Sequence, residues 1–127
     1  MKKALCLIIT LAATPALAYT TDELRADCRA AQALYDGQKS SDLHDSLRSA
    51  RCIAYVAGFA DAFSVSDYLA DKIGIRLNAF CLPKDENLSP LLVRAVNTHL
   101  DRLPPGGNAA TATLVAGALS RSFPCQQ

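Results

Sequence analysis

The sequence predicts an all-α protein, a compact four-helix domain with two disulfides. Four segments repeat apolar residues at the spacing of an α-helix, and breaks rich in Gly, Pro or Asp separate them. Half of the 127 residues are hydrophobic, which is too large a share for a disordered chain. Four of the five cysteines follow a short apolar N-terminal segment, a placement typical of small exported domains.

The first 18 residues have the pattern of a secretory signal peptide. Two lysines precede an apolar run from Ala4 to Ala13, and Ala16-Leu17-Ala18 supplies an A-x-A cleavage site. The run is shorter than the roughly 20 residues that a membrane-spanning helix needs. We therefore expect residues 1–18 to be cleaved and residues 19–127 to form one domain with no stable membrane anchor.

The first helix has clear start and stop signals. Thr20 and Glu23 form a capping-box pattern, in which each side chain accepts a backbone N–H at the start of a helix. Apolar residues then recur at helical spacing, so the helix is predicted from about Thr21 to Tyr35. Asp36-Gly37 ends it.

A polar, serine-rich loop is predicted from Gln38 to Asp45, and a long second helix follows it to about Lys72. Gly74 lies where a helix commonly ends in a left-handed residue. Residues 75–80 alternate in polarity as a strand does. No partner strand is evident, so this segment is predicted to be a loop.

The third and fourth helices form a predicted hairpin. Ser89-Pro90 reads as an N-cap followed by Pro at the first helical position, and the apolar stripe of this helix extends to Leu103. Residues 104–107, Pro-Pro-Gly-Gly, break the chain. Asn108 is predicted to cap the fourth helix, which Phe123-Pro124 ends.

The cysteines of the exported domain are Cys28, Cys52, Cys81 and Cys125. An even number in a small exported domain predicts two disulfides, although the sequence alone allows three pairings. Cys28 and Cys52 lie at similar distances from the first loop, and Cys81 and Cys125 flank the second hairpin. We therefore expect Cys28–Cys52 and Cys81–Cys125.

Several kinds of chemistry have no motif in this chain. The formal net charge of +1 argues against a nucleic-acid partner. Signatures of serine hydrolases, zinc proteases, nucleotide sites and calcium loops are absent, so we expect no enzyme activity, no catalytic residues, no metal and no cofactor. His99 is expected to pack in the core because no second ligand lies near it. Asp67 and Asp71 are expected to lie on a solvated surface. Asp61 lies on a largely apolar segment, and if it is buried we expect it to make a structural hydrogen bond.

Three short motifs follow one another along the chain: C-x-x-Y-x-x-G from Cys52 to Gly58, F-C-x-P from Phe80 to Pro83, and F-P-C from Phe123 to Cys125. Their order resembles the signatures of the Tai/Rap immunity family. Members are small exported all-α proteins that protect Gram-negative bacteria from type VI secretion effectors, notably cell-wall amidases.

The resemblance implies structural roles for the motif residues. Tyr55 and Gly58 would form the seam of the second helix, and Phe80 and Phe123 would pack beside the cysteines. The remaining motif positions are Pro83 and Pro124.

The resemblance also implies a function. The protein would bind a cognate effector in the periplasm and occlude its active site without turnover, and some relatives act as homodimers in which one subunit inserts a loop. A possible homodimer is therefore part of the prediction. The alternative function is a small periplasmic acid-stress chaperone, which the acidic residues and apolar stripes of this chain also suit.

Two polar segments are candidates for binding a partner, because loops on a rigid scaffold commonly contain the binding residues. The segment Asp36 to Asp45 ranks first because it is longer and holds three carboxylates; the segment Lys84 to Leu88 ranks second. The candidate partner-binding residues are Asp36, Asp42, Asp45, Lys84 and Asp85.

Overall fold

Four α-helices and their connections make up the part of the chain that the structure describes. The computed structural model describes residues 19–40 and 42–126, so the predicted signal peptide lies outside it. The helices are α1 (Thr21–Tyr35), α2 (Leu43–Lys72), α3 (Leu88–Asp101) and α4 (Thr111–Ser122). The all-α class is confirmed, and none of the described helices is long and apolar enough to cross a membrane.

Helix α1 begins and ends as predicted. The Thr20 hydroxyl accepts the Glu23 backbone N–H at 3.2 Å, and the Glu23 carboxylate accepts the Thr20 N–H at 2.9 Å. At the other end, Gly37 has a positive φ of 82°, which lets the Gln38 N–H bond to the Ala33 carbonyl at 2.9 Å. Local signals alone therefore define both ends of this helix.

Helix α2 begins earlier than predicted. The Asp42 side chain accepts the His44 N–H at 2.9 Å, so the helix starts at Leu43 and Asp45 lies in its first turn. The prediction of a loop up to Asp45 was wrong because Asp is among the strongest N-cap residues. The C-terminal end agrees with the prediction, since Gly74 follows Lys72 closely with a φ of 79°.

The starts of α3 and α4 also differ from the sequence prediction. Asn87, not Ser89, is the N-cap of α3, and Pro90 occupies the third helical position. Pro is tolerated there because first-turn N–H groups have no partner within the helix. Ala110, not Asn108, precedes α4, and neither helix has a side-chain cap.

All four helices contribute to one core. Buried apolar side chains of α1, α3 and α4 pack against the inner face of α2, and the Phe63 ring stacks on Phe80 with centroids 3.9 Å apart. The largest fully buried apolar side chains are Leu24, Leu92, Leu100, Leu119, Val56, Val93, Val96 and Val115.

The fold contains two disulfides, as predicted, and they join the pairs expected from the hairpins. Cys28 and Cys52 are fully buried and connect α1 to α2 with Cα atoms 5.1 Å apart. Cys81 and Cys125 connect the segment before α3 to the chain end after α4, with Cα atoms 4.9 Å apart. Beside this second bridge, the Cys81 N–H donates to the Phe123 carbonyl at 2.8 Å.

Gly58 does not lie at a seam between helices, so that part of the motif interpretation was wrong. It is exposed on α2, and a Cβ built on it meets no atom within 4 Å. Tyr55, three residues earlier, is half-buried and packs against Tyr19. The apolar pattern of α2 did not show which face is buried, because alanines occur on every side of this helix. Gly58 was therefore assigned to the wrong face.

Gly58→Ala is expected to stabilise the monomer by about 0.5 to 1 kcal/mol, because Gly in a helix interior loses more backbone entropy on folding than Ala. The added methyl group enters open space. Urea denaturation at low protein concentration measures this change. A loss of stability in the monomer would mean that α2 needs the glycine within its own chain.

Candidate functional site

The connection between α1 and α2 borders a groove of about 380 Å³. We call it the loop groove. The last turns of α1 and the first turns of α2 form its walls, and Lys39 and Ser40 form its edge. Leu34, on the α1 side, is 51% exposed. Polar and apolar groups therefore lie side by side, as in the surface of a protein interface.

A chain of polar contacts ties this loop to the interior. The Ser40 hydroxyl accepts the Asp42 N–H at 3.1 Å and donates to Asp45 at 3.2 Å. The Arg48 guanidinium lies 3.7 Å from the Asp45 carboxylate and 3.4 Å from that of Asp27. Side chains of α1 and α2 thus hold Ser40, Asp42 and Asp45 in place at the start of α2.

Asp27 is the buried end of this chain, with 1% of its surface exposed. The Arg51 Nε–H donates to it at 2.5 Å and the Tyr19 hydroxyl at 2.7 Å. Burial alone raises the pKa of Asp27, but these hydrogen bonds and the charge of Arg51 outweigh it and hold the pKa below its usual value. The carboxylate also raises the pKa of Arg51, so both groups remain charged.

Tyr19, the residue after the predicted cleavage site, closes this cluster. Its ring meets Tyr55 edge-on with centroids 4.9 Å apart, and the Arg51 guanidinium lies 4.9 Å from its centre. The Thr111 hydroxyl donates to its carbonyl oxygen. Burial and the bond to Asp27 raise the pKa of the Tyr19 hydroxyl. Tyr19 therefore joins α1, α2 and α4.

Sequence reasoning missed the cluster of Tyr19, Asp27 and Arg51. One signal was present: Asp27 lies among Leu24, Cys28 and Ala31 on the buried face of α1, where a charged residue needs a partner.

The structure brings together only part of the first candidate segment. Asp42 and Asp45 lie close together at the start of α2. Asp36 instead ends α1 and pairs with Arg94 of α3 at 3.6 Å, on the border of a second groove of about 270 Å³. The three carboxylates thus do not form one patch.

The second candidate segment is exposed and lies outside both grooves. Lys84 and Asp85 are solvent-accessible, and the Asp85 carboxylate accepts the Asn87 N–H at 2.8 Å just before α3 begins. Asp85 therefore shapes the turn into α3.

Asp42, His44 and Asp45 are the residues closest to a metal-binding arrangement among those described, with ligand atoms within 4.8 Å of one another. The two carboxylates already have other partners. Asp42 caps α2, and Asp45 contacts Ser40 and Arg48. Helix capping and ion pairing account for the arrangement.

His99 is half-buried on α3 and lies against Gly117 of α4, whose Cβ position would be 3.3 Å from the His99 Nε2. Burial lowers the pKa of His99, and the charges of Arg121 and Arg102 lower it further. The folded protein therefore favours the neutral imidazole.

Stability is expected to fall as the pH drops below the usual His pKa of 6.5. Because the folded-state pKa is lower, the unfolded chain binds the proton first, and the full contribution of neutral His99 is present only above 6.5. Thermal unfolding between pH 7.5 and pH 5 measures the loss. His99→Gln should flatten this dependence, and an unchanged slope in that variant would assign it to other groups.

The described residues therefore define a small, disulfide-linked helical protein. Side chains of α1 and α2 contact the polar connection between these two helices. A family model described as Rap1a immunity proteins matches residues 20–125. The chain therefore belongs to the Rap1a immunity protein family. The comparisons with curated proteins and with solved structures gave no match.

Proposed function

We propose that this protein binds a type VI secretion effector in the periplasm and neutralises it by occluding its active site. Membership of the Rap1a immunity family supports the immunity function. The N-terminal signal pattern supports export, and a cell-wall amidase is the effector class that the motif resemblance favours. Binding without turnover requires no cofactor and no catalytic group of this chain.

The observation that carries the proposal is the supported loop between α1 and α2. Ser40, Asp45 and Arg48 connect it to the buried Asp27, and the Cys28–Cys52 disulfide joins the two helices beneath it. A loop ordered before binding costs less entropy to insert into a cleft. The nearby carboxylates suit a basic or metal-dependent active site.

The triple variant Asp36→Asn, Asp42→Asn, Asp45→Asn is expected to weaken effector binding more than tenfold, or about 1.4 kcal/mol. Asn retains N-cap ability at Asp42, so the start of α2 is preserved while three charges are removed. Isothermal titration calorimetry with an effector identified by co-purification with this protein measures the affinity.

Two further variants locate the interface. Asp61→Asn combined with Asp71→Asn removes exposed carboxylates from α2 away from the loop and should leave the affinity unchanged. Lys84→Ser combined with Asp85→Asn tests the second segment. A loss of affinity there, with none in the loop variant, would move the interface to the segment before α3.

The acid-stress chaperone alternative requires the protein to open at about pH 2 to 3 and to expose apolar surface. The two disulfides oppose such an opening. Reversible unfolding at that pH together with protection of a client protein from aggregation would favour the chaperone over the immunity function.

A further inference from the structure

A series of polar side chains connects the first residue of the predicted mature chain to the loop groove. The Tyr19 hydroxyl donates to one carboxylate oxygen of Asp27 at 2.7 Å, and the other oxygen lies 3.4 Å from the Arg48 Nε. Arg48 in turn lies 3.7 Å from Asp45, which accepts the Ser40 hydroxyl at 3.2 Å. We call these five residues the Tyr19 relay.

Tyr19 is held in place although it precedes α1. The Thr111 hydroxyl of α4 donates to its carbonyl oxygen. Its ring meets Tyr55 edge-on, and the Arg51 guanidinium lies 4.9 Å from the ring centre. The first residues of a domain are poorly ordered unless such contacts tie them down. The relay therefore begins at a residue with a defined position.

Asp27 is the point at which the relay turns from Tyr19 to Arg48. Its carboxylate is buried, and Tyr19 and Arg51 both donate to the same oxygen. These two bonds orient the carboxylate so that its second oxygen faces Arg48. Loss of the Tyr19 bond leaves two guanidinium groups as its partners, and a buried polar network responds as a unit to such a loss.

Ser40 and Asp45 are the end of the relay at the partner-binding loop. Both line the loop groove, which Tyr19 does not. The Ser40 hydroxyl also accepts the Asp42 N–H at 3.1 Å, so this side chain bonds to the residues on which α2 begins. A change in the position of Arg48 therefore alters the edge of the groove.

We propose that Tyr19 is a positioning residue for partner binding, because the relay connects it to Ser40 and Asp45 at the edge of the loop groove. This inference rests on the proposed function, in which the same loop contacts the effector. It adds a residue that lies outside the groove. Since cleavage after Ala18 makes Tyr19 the first residue of the mature chain, cleavage one residue later would break the relay.

Limited proteolysis tests the positioning without an effector. Trypsin cleaves after Lys39, which is exposed and precedes Ser40. Tyr19→Phe keeps the ring and removes only the hydroxyl, so cleavage after Lys39 should be about fivefold faster because the loop opens more often. Tyr55→Phe, whose lost hydroxyl is not part of the relay, is the matched control and should match the wild type. Cleavage after Arg76, in the exposed connection beyond α2, is the internal reference and should not change.

Two results of this experiment would overturn the inference. One is cleavage of Tyr19→Phe after Lys39 at the rate of the wild type. The other is an equal acceleration after Lys39 and after Arg76, which would assign the effect of Tyr19 to the stability of the whole fold.

A double-mutant cycle separates positioning from general support of the fold. Tyr19→Phe combined with Asp45→Asn should be cleaved after Lys39 no faster than Asp45→Asn alone, because the contact that transmits the effect is already weakened. Residues that act independently would instead multiply their effects on the rate. Multiplied effects would show that Tyr19 does not act through Asp45 and would overturn the inference.

Calorimetry with the co-purified effector tests the consequence for binding. Tyr19→Phe should weaken the affinity about fivefold, and Tyr55→Phe should leave it unchanged. An unchanged affinity of Tyr19→Phe, with a weakened Asp36, Asp42 and Asp45 triple variant, would overturn the inference and leave the proposed function standing. Unchanged affinity of the triple variant would contradict the proposed interface, and the proteolysis result would still decide whether Tyr19 positions the loop.

Discussion

Replacing Cys28 and Cys52 together by Ala is expected to lower the free energy of unfolding by about 3 to 4 kcal/mol. The disulfide spans 24 residues, and closing a loop of this length in the unfolded chain accounts for about 3.5 kcal/mol in the loop-entropy model. Both sulfur atoms are fully buried, so their removal also leaves unfilled space between α1 and α2. Urea denaturation of the wild type and the variant measures the difference.

The double variant should also bind the effector less tightly, because this disulfide holds the two helices that carry the loop. Cys81→Ala with Cys125→Ala is the matched control. It removes a bridge over 44 residues and should cost a similar free energy of unfolding while leaving effector affinity unchanged. Equal affinities of both double variants would argue against support of the loop by Cys28–Cys52.

Asp27→Asn is the second change with a large expected effect, a destabilisation of about 3 kcal/mol. The buried carboxylate accepts hydrogen bonds from Arg51 and Tyr19 and pairs with Arg48, and an amide cannot neutralise two guanidinium groups. The matched control is Glu23→Gln, which changes a half-exposed carboxylate 3.5 Å from the same Arg51. That variant should lose much less stability, because the ion pair it removes is accessible to solvent.

The effect of Asp27 has a defined pH dependence. Its folded-state pKa lies below the usual 3.8, so its contribution is fully present above that value and is lost as the pH falls through the folded-state pKa. The stability difference between wild type and Asp27→Asn should therefore shrink below about pH 4. A difference that stays constant down to pH 2 would show that the charge of Asp27 is not its source.

Local signals in the sequence were sufficient to predict that there are four helices and to predict both ends of α1. Thr20 with Glu23 and the Asp36-Gly37 pair act on residues within one turn, so they can be recognised without knowing the fold. The start of α2 was missed although Asp42 is an equally local cap, because Leu43 and Leu47 are exposed and mark no buried stripe.

The supporting cluster could not be predicted in the same way. Burial of Asp27 depends on Arg48 and Arg51, more than 20 residues later, and on Tyr19 packing against Tyr55. These contacts exist only after α1 and α2 have packed. The orientation of Gly58 was also beyond the sequence, since an alanine-rich helix gives little contrast between its faces.

Inhibition of the cognate effector tests the central claim most directly. The measurement is hydrolysis of peptidoglycan by a candidate effector identified by co-purification with this protein, with increasing amounts of the mature protein. We expect activity to fall to zero near one equivalent, and the Asp36, Asp42 and Asp45 triple variant to require at least about ten times more protein. Full hydrolase activity in the presence of excess folded protein would contradict the proposed function.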